Sequence, residues 1–583
     1  MGVARRRETL DLPGLRDLVI DPLDKLRQCG LLVGRQAERL WILRGVAERV
    51  AESDEASECT GIDPVGHEII SSWQSRRPPS VTDRRLYSYR VPLLPEQEAH
   101  AAFLQQFPAY STTGSLDALR ASDYARLDAG RHAYLDYTGA SLYGESQLRA
   151  HLELLASGVY GNPHSASVTS AAATDLVERT RRAVLEWFGA PPEDYTAIFT
   201  ANCTAALKLV GESFPFAPGG RLLMAADNHN SVNGIREFAR ARGVDARYAP
   251  VSTPDLRLDR AALTALLADG GSTGASLFAF PAQSNFTGVR HPLNIAAEAR
   301  AAGWTVLLDA AAFVPTSRLD LSTVAADFVT VSFYKMFGYP TGVGCLIARN
   351  DALTQLQRPW YAGGTVNFAT VQGRRHILAP REAGFEDGTL NYLGIPAVEI
   401  GLHHLRQVGI ETIHTRVACL TGWMLGELMG LRHGNGRPLV RIYGPATTEM
   451  RGGILTMNFY DPDGRLLDYR RVEEVASAQG ISIRTGCFCN PGAGETAEGL
   501  TEDDILSAVS SGTEMTLPRF LQFLTDRGGK SAGAIRASLG IASNFADAYR
   551  FVQFAATLRD QTRLTLGEVS FDIESCRVIR DGS

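Results

Sequence analysis

The sequence predicts an α/β fold: a mainly parallel sheet with helices on both faces, followed by a smaller α+β part and preceded by a helical N-terminal region. Three observations predict it. From about Tyr134, short apolar runs of strand length alternate with stretches of helical periodicity, the βαβ order that feeds a parallel sheet. The unusual polar residues fall where these runs end, and in such sheets the carboxyl ends of strands carry the ligand site. From about Pro396 the alternation gives way to a long helical stretch and then to strands and helices in mixed order.

The elements follow in chain order. Leu15, Leu18, Val19, Leu23 and Leu26, then Ala37, Leu40, Leu43 and Val46, repeat with helical spacing. Residues 51–66 are acidic and small, as in a linker, and Arg76-Arg77-Pro78-Pro79 is a further break. Residues 1–120 are therefore read as an accessory helical region, and they hold no catalytic motif. The large domain, 121–395, places strands at 195–200, 221–226, 276–282, 305–309, 328–332 and 344–349, with helices over 204–213, 231–242 and 293–303. The small domain, 396–560, has a helix over 396–430, strands near 439–443 and 453–459, a helix over 469–479, a strand over 481–485 and a helix over 545–559. Residues 561–583 are a short tail of one or two strands.

Composition excludes several function classes. The 583 residues are 45% hydrophobic and 21% charged, the balance of a soluble globular protein long enough for several domains. A net charge of −6 without a long basic run speaks against nucleic acid as a partner. No apolar run approaches the roughly 20 residues of a membrane-spanning helix. The start, Met1-Gly-Val-Ala-Arg-Arg-Arg-Glu, lacks the apolar segment of a signal peptide. Eight cysteines without paired spacing predict free thiols in a reducing, cytoplasmic setting.

The chemistry gathers at strand ends. Asp309 closes the strand 305–309, and Lys335 follows the strand 328–332 in Val331-Ser-Phe-Tyr-Lys-Met-Phe-Gly-Tyr-Pro-Thr-Gly. This pair suits pyridoxal phosphate: the lysine amine joins the cofactor as a Schiff base, and the aspartate keeps the pyridine nitrogen protonated so that the ring accepts electrons. A solvated loop lysine is the plainer reading. Thr200-Ala-Asn-Cys-Thr204-Ala-Ala opens a helix, where backbone N–H groups and the Thr204 hydroxyl can reach a phosphate; a threonine cap gives the same pattern. Ser332 can contribute from the facing strand. His229 can stack on a planar cofactor or be a polar loop residue. Asn285 can donate to a cofactor hydroxyl or mark a turn. Cys489, in Arg484-Thr-Gly-Cys-Phe-Cys-Asn-Pro-Gly, sits in a loop where a thiol can be nucleophilic or inert. Asn490-Pro491-Gly492 reads as a turn that could swing this cysteine toward the cofactor. Cys-x-Cys without a second ligand pair is poor zinc spacing, so no metal is expected. Arg536 offers the bidentate guanidinium that an α-carboxylate asks for, or a surface salt bridge.

These motifs, with Tyr134-Leu-Asp-Tyr-Thr-Gly-Ala-Ser-Leu-Tyr, Asn162-Pro-His-Ser, Pro281-Ala-Gln-Ser-Asn-Phe-Thr-Gly-Val-Arg and Phe385-Glu-Asp-Gly-Thr, resemble the class V, fold-type I pyridoxal-phosphate enzymes. Among these they resemble the cysteine desulfurases, and in particular the desulfurase domain of molybdenum-cofactor sulfurases. The likeness covers roughly 125–560. It implies a cysteine desulfurase that takes sulfur from L-cysteine as a persulfide on Cys489, leaves alanine, and passes the sulfur to a protein or small-molecule acceptor. It implies Lys335 and Asp309 in the roles above, His229 on the ring, Asn285 on its 3′ oxygen and Arg536 on the substrate carboxylate. It implies Cys203, Thr204 and Ser332 at the phosphate, and Thr365 reaching the phosphate of a second subunit in a homodimer. The sequence departs from the pattern at Ala312, where a glutamine is usual, at Asn202-Cys203, where Gly-Ala is usual, and at Tyr334, where many members carry histidine. Only a tail follows residue 560, where molybdenum-cofactor sulfurases carry a further domain. The alternative is a C–S lyase, epimerase or aminotransferase of secondary metabolism on the same scaffold.

Overall fold

The computed structural model describes residues 94–163, 165–269, 273–509, 533–562, 564, 569–572 and 577–580. The helical periodicity over 12–50, the linker 51–66 and the break at 76–79 lie outside the described residues.

Seven strands form the main sheet: β1 (Tyr195–Thr200), β2 (Arg221–Ala225), β3 (Ala246–Ala249), β4 (Ser276–Pro281), β5 (Thr305–Asp309), β6 (Phe328–Ser332) and β7 (Gly344–Arg349). Their order is β1-β7-β6-β5-β4-β2-β3, and β7 alone runs against its neighbours. Alternate side chains enter two separate cores, as the period of two in a strand requires. Ile198, Leu222, Met224, Leu277, Leu307 and Leu346 fill one. Phe199, Leu223, Phe278, Phe280, Val306, Leu308 and Val331 fill the other. With both faces covered, each central strand is apolar at nearly every position, which is why it reads in the sequence as a continuous run. The edge strand β3 escapes that signal because Ala246-Arg-Tyr-Ala is polar and half exposed.

Helices α1 (Val168–Trp187) and α2 (Cys203–Ser213) flank the sheet. The helix expected over 396–430 is two, α3 (Pro396–Val408) and α4 (Ile410–Gly430), broken at Gly409, whose φ of 84° an L side chain rarely adopts. The helix expected over 231–242 likewise divides at Gly234, into Asn230–Asn233 and Ile235–Arg240.

A second, antiparallel sheet is made of β8 (Val440–Tyr443), β9 (Ile454–Phe459), β10 (Arg484–Gly486) and β11 (Ala534–Ser538), in the order β8-β9-β11-β10. The strand expected over 481–485 serves two sheets. Ile481–Ser482 pairs in parallel with Ala133–Tyr134, and β10 then joins β11. Helices α5 (Pro491–Glu498) and α6 (Phe545–Thr557) complete this part. In the tail, Val569–Asp572 pairs antiparallel with Arg577–Arg580.

Residues 94–120, the described end of the expected accessory region, are built into the core. The Phe103 ring lies 4.9 Å from that of Phe545. Arg120 donates to Asp547 of α6 at 2.5 Å, and Arg416 of α4, fully buried, donates to Thr113 and Asp117. No helix among the described residues is long and apolar enough to cross a membrane. No group of described His, Cys, Asp or Glu side chains could hold a metal ion.

Candidate active site

The carboxyl ends of β1, β4, β5 and β6 and the loop after β2 converge on a cleft of about 110 Å³. Seven residues singled out from the sequence line it: Cys203, Thr204, His229, Asn285, Asp309, Ser332 and Lys335. The reversal of β7 brings the end of β1 beside the end of β6, so the start of α2 faces the lysine segment.

At one end of the cleft, Asn202 caps α2 by accepting from the N–H of Ala205 at 2.9 Å. The N–H groups of Cys203 and Thr204 stay free of side-chain caps at the positive end of the helix, where an anion is favoured. The hydroxyls of Thr204 and Ser231 are 2.8 Å apart. The start of β7 presses on this loop: a Cβ on Gly344 would lie 2.4 Å from the Asn202 carbonyl carbon and 2.6 Å from the Cys203 nitrogen. The Cys203 thiol does not serve the anion. It lies 3.8 Å from Asp309 Oδ1, and burial, reinforced by the charge of Asp309, raises it far above the ordinary thiol range. Only its backbone N–H is left for the helix terminus.

Further in, Asp309 is held by the Ala311 N–H, which donates to Oδ1 at 3.0 Å. Lys335 lies in the short helix Phe333–Phe337, whose buried Phe333, Met336 and Phe337 anchor it to the core. Lys335 also borders a second, smaller cavity with Gln283, Ala311, Ala312 and Tyr137. His229 accepts from the Ser231 N–H through Nδ1 at 3.1 Å, which assigns the ring proton to Nε2. Burial lowers its pKa against the opposing pull of Asp309, so the ring is neutral at pH 7. A helix N-terminus, a flat neutral imidazole, a fixed carboxylate and an amine in one cleft fit pyridoxal phosphate. Ser231 and Gln283 belong to this lining and were not singled out from the sequence; each lies within two or three residues of one that was.

The other three predicted residues stand outside the lining. Thr365 is buried beside a hairpin, Val366–Thr370 with Arg375–Leu378, and its hydroxyl closes a turn with Ala362. Arg536 lies behind Asn285 and donates to its carbonyl at 2.9 Å. Cys489 is exposed, and its carbonyl accepts from the Asn230 N–H at 2.7 Å, next to His229. The side chain of Asn285 is engaged in this loop: Nδ2 donates to the Phe488 carbonyl at 2.8 Å and Oδ1 accepts from Asn490 Nδ2 at 2.9 Å. The swinging turn expected at Asn490-Pro491-Gly492 is instead the start of α5. Asn490 is fully buried, caps Ala493 and also donates to the Asp227 carbonyl at 2.7 Å. Asn before Pro at the first helical position is a helix-start signal that the turn reading overlooked.

The sequence model described as "Aminotransferase class-V" matches residues 133–551. The molybdenum cofactor sulfurase of Solanum lycopersicum is 37% identical over 489 residues, covering 78% of this chain and 59% of that protein. The molybdenum cofactor sulfurase of Homo sapiens is 37% identical over 482 residues, covering 76% of this chain and 52% of that protein. The chain thus spans between half and three fifths of the length of these relatives. The apo cysteine desulfurase of Thermococcus onnurineus NA1 superposes with a TM-score of 0.62 at 22% identity, over 76% of this chain and 97% of that one. The cystine C-S lyase C-DES, in complex with its product cysteine persulfide, gives a TM-score of 0.55 at 20% identity, over 73% of this chain and 97% of that one. At these identities the structural likeness establishes the fold.

Proposed function

The chain belongs to the class V aminotransferase family, and on that premise we propose that it is a pyridoxal-phosphate-dependent cysteine desulfurase, moving sulfur from L-cysteine to Cys489 and then to an acceptor. The observation that carries this reading is the fastening of the Cys489 loop to the cleft wall. Cys489 bonds Asn230 beside His229, and Asn285, in the lining, bonds the residues on either side of it. An incidental surface cysteine has no need of these ties.

Bound pyridoxal phosphate supplies an electron sink for a carbanion at the substrate Cα. Lys335 would hold the cofactor through its amine, and that amine, when free, is placed to take the proton from the substrate Cα. The carboxylate of Asp309 would keep a proton at the ring nitrogen, and the His229 ring would lie against the cofactor face. The free N–H groups of Cys203 and Thr204, with the hydroxyls of Thr204, Ser231 and Ser332, would hold the phosphate. Arg536 takes the substrate carboxylate. Cys489 Sγ then bonds the substrate sulfur as the C–S bond breaks. Alanine leaves with a proton in place of the sulfur, and the persulfide remains on Cys489.

The test is a single turnover with L-cysteine, followed by alkylation and peptide mass spectrometry. Cys489→Ser is expected to retain bound cofactor and to lose persulfide and alanine formation by about a hundredfold or more. Cys487→Ser is expected to keep most of both. A label on Cys487 alone reverses the assignment. Sulfide and pyruvate without alanine or label place the chain among C–S lyases.

We further propose that a second copy of the chain packs against the hairpin beside the buried Thr365. That hairpin exposes Phe368, Val371 and Ile377, at 54%, 94% and 61% of their full area, an apolar face of the kind that marks an interface. Phe368→Glu is expected to halve the mass measured by light scattering. A wild-type protein that runs as one chain refutes this.

A further inference from the structure

Arg484 of β10 and Arg536 of β11 are directly opposite each other in register. Like charges so placed destabilise an antiparallel pair, and Arg536 is fully buried, 2% exposed. The carboxylate of Asp136 resolves the conflict. Nε and Nη2 of Arg484 donate to its Oδ2 at 2.9 and 2.6 Å, and Nη2 of Arg536 donates to its Oδ1 at 3.2 Å. The backbone delivers Asp136 to this point. It bridges Ser538 of β11 in parallel, the Ser538 N–H donates to the Leu135 carbonyl at 2.7 Å, and the Thr138 N–H donates to the Ser538 hydroxyl at 2.9 Å.

The rest of the Arg536 guanidinium is equally constrained. Nη1 donates to the Asn285 carbonyl at 2.9 Å, and the plane lies over the Phe488 ring at 4.7 Å. Nε is buried and has no partner. Two guanidinium groups thus share one bonded carboxylate, and a buried cationic donor is left unmade, a costly arrangement unless an anion completes it. Burial pulls Arg536 down to about 10, with Asp136 opposing.

We propose that Asp136 is a positioning residue that gives the site its selectivity for an α-carboxylate: braced by Arg484, it fixes Arg536 so that the buried Nε is left without a protein partner, for the carboxylate of the incoming amino acid to take. The proposal rests on the reading that Arg536 receives that carboxylate. It adds a residue near the start of the first large-domain segment, and one on the strand leading into the Cys487–Cys489 loop, to the determinants of which amine is accepted.

The experiment uses holoenzyme and two small amines, L-alanine and ethylamine, which differ by the carboxylate alone. Affinity is read from the amine-induced change in the visible absorption of the bound cofactor, so turnover is not needed. Wild type is expected to prefer L-alanine. Asp136→Asn is expected to weaken L-alanine about tenfold or more, ethylamine by less than about twofold, with cofactor content unchanged. Equal weakening of both amines, or unchanged L-alanine affinity, overturns the proposal. Arg484→Lys keeps the charge and loses the fork. It is expected to weaken L-alanine about three- to fivefold with ethylamine unmoved, and it decides the matter should Asp136→Asn not fold; unaltered selectivity there overturns the proposal. Arg536→Ala is run beside them. Retained preference for L-alanine in that variant refutes the role of Arg536 itself, a failure distinct from that of Asp136.

Discussion

Lys335→Ala is expected to abolish covalent attachment of the cofactor and to lower turnover of cysteine by about 10²–10⁴-fold, the usual contribution of a positioned base. Borohydride reduction of wild-type holoenzyme should fix the cofactor on a single peptide containing Lys335, and the variant should yield none. The physical ground is placement. Lys335 is the lysine lining the cleft that holds Asp309, and it also borders the adjoining cavity next to Gln283 and Ala312. Its short helix is pinned by Phe333 and Phe337, both fully buried, so the amine cannot be replaced by a neighbour sliding into position. An adduct on any other lysine refutes the assignment.

Asp309→Asn is expected to keep the cofactor bound and to slow turnover about a hundred- to a thousandfold, the scale of losing one preorganised electrostatic contact in a closed site. That corresponds to about 3–4 kcal/mol of transition-state stabilisation. Asparagine preserves size and the bond from the Ala311 N–H, so the loss reads the charge. Stopped-flow absorbance should show substrate binding at near wild-type rate and deprotonation at Cα slowed. Turnover within about threefold of wild type would falsify the role of Asp309, because a neutral partner cannot hold a proton on the ring nitrogen.

What the sequence revealed and what it withheld divide along a physical line. Asp309, Ser332, Lys335, Thr204 and His229 each sit at the end of a buried strand or the start of a helix. Both kinds of element announce themselves locally, by apolar runs and by capping residues. Parallel topology then gathers those ends without further instruction. Asp136 could not be found this way. Its partners Arg484 and Arg536 are remote in the chain, and only the pairing of β10 with β11 makes a carboxylate necessary there. Asn285 was legible as a cleft residue but not as the tie to Phe488 and Asn490, for the same reason. The break at Gly409 was written in the sequence as a glycine between two apolar stretches, yet helical periodicity continues across it and masks it.

If Cys489 carries sulfur as proposed, Asn490 constrains how that sulfur leaves. It is a buried peg: its side chain bonds Asp227, Asn285 and Ala493, and behind it α5 is already wound. The peg tethers the backbone beside Cys489, so on the proposed reading only rotation of the Cys489 side chain carries the sulfur between cleft and rim. On that reading a collecting molecule comes to the exposed thiol and brings its own nucleophile within bonding reach. Choice among collectors then falls to the contour of the rim around Cys489, so that changes of shape there would redirect the sulfur while leaving its extraction from cysteine intact.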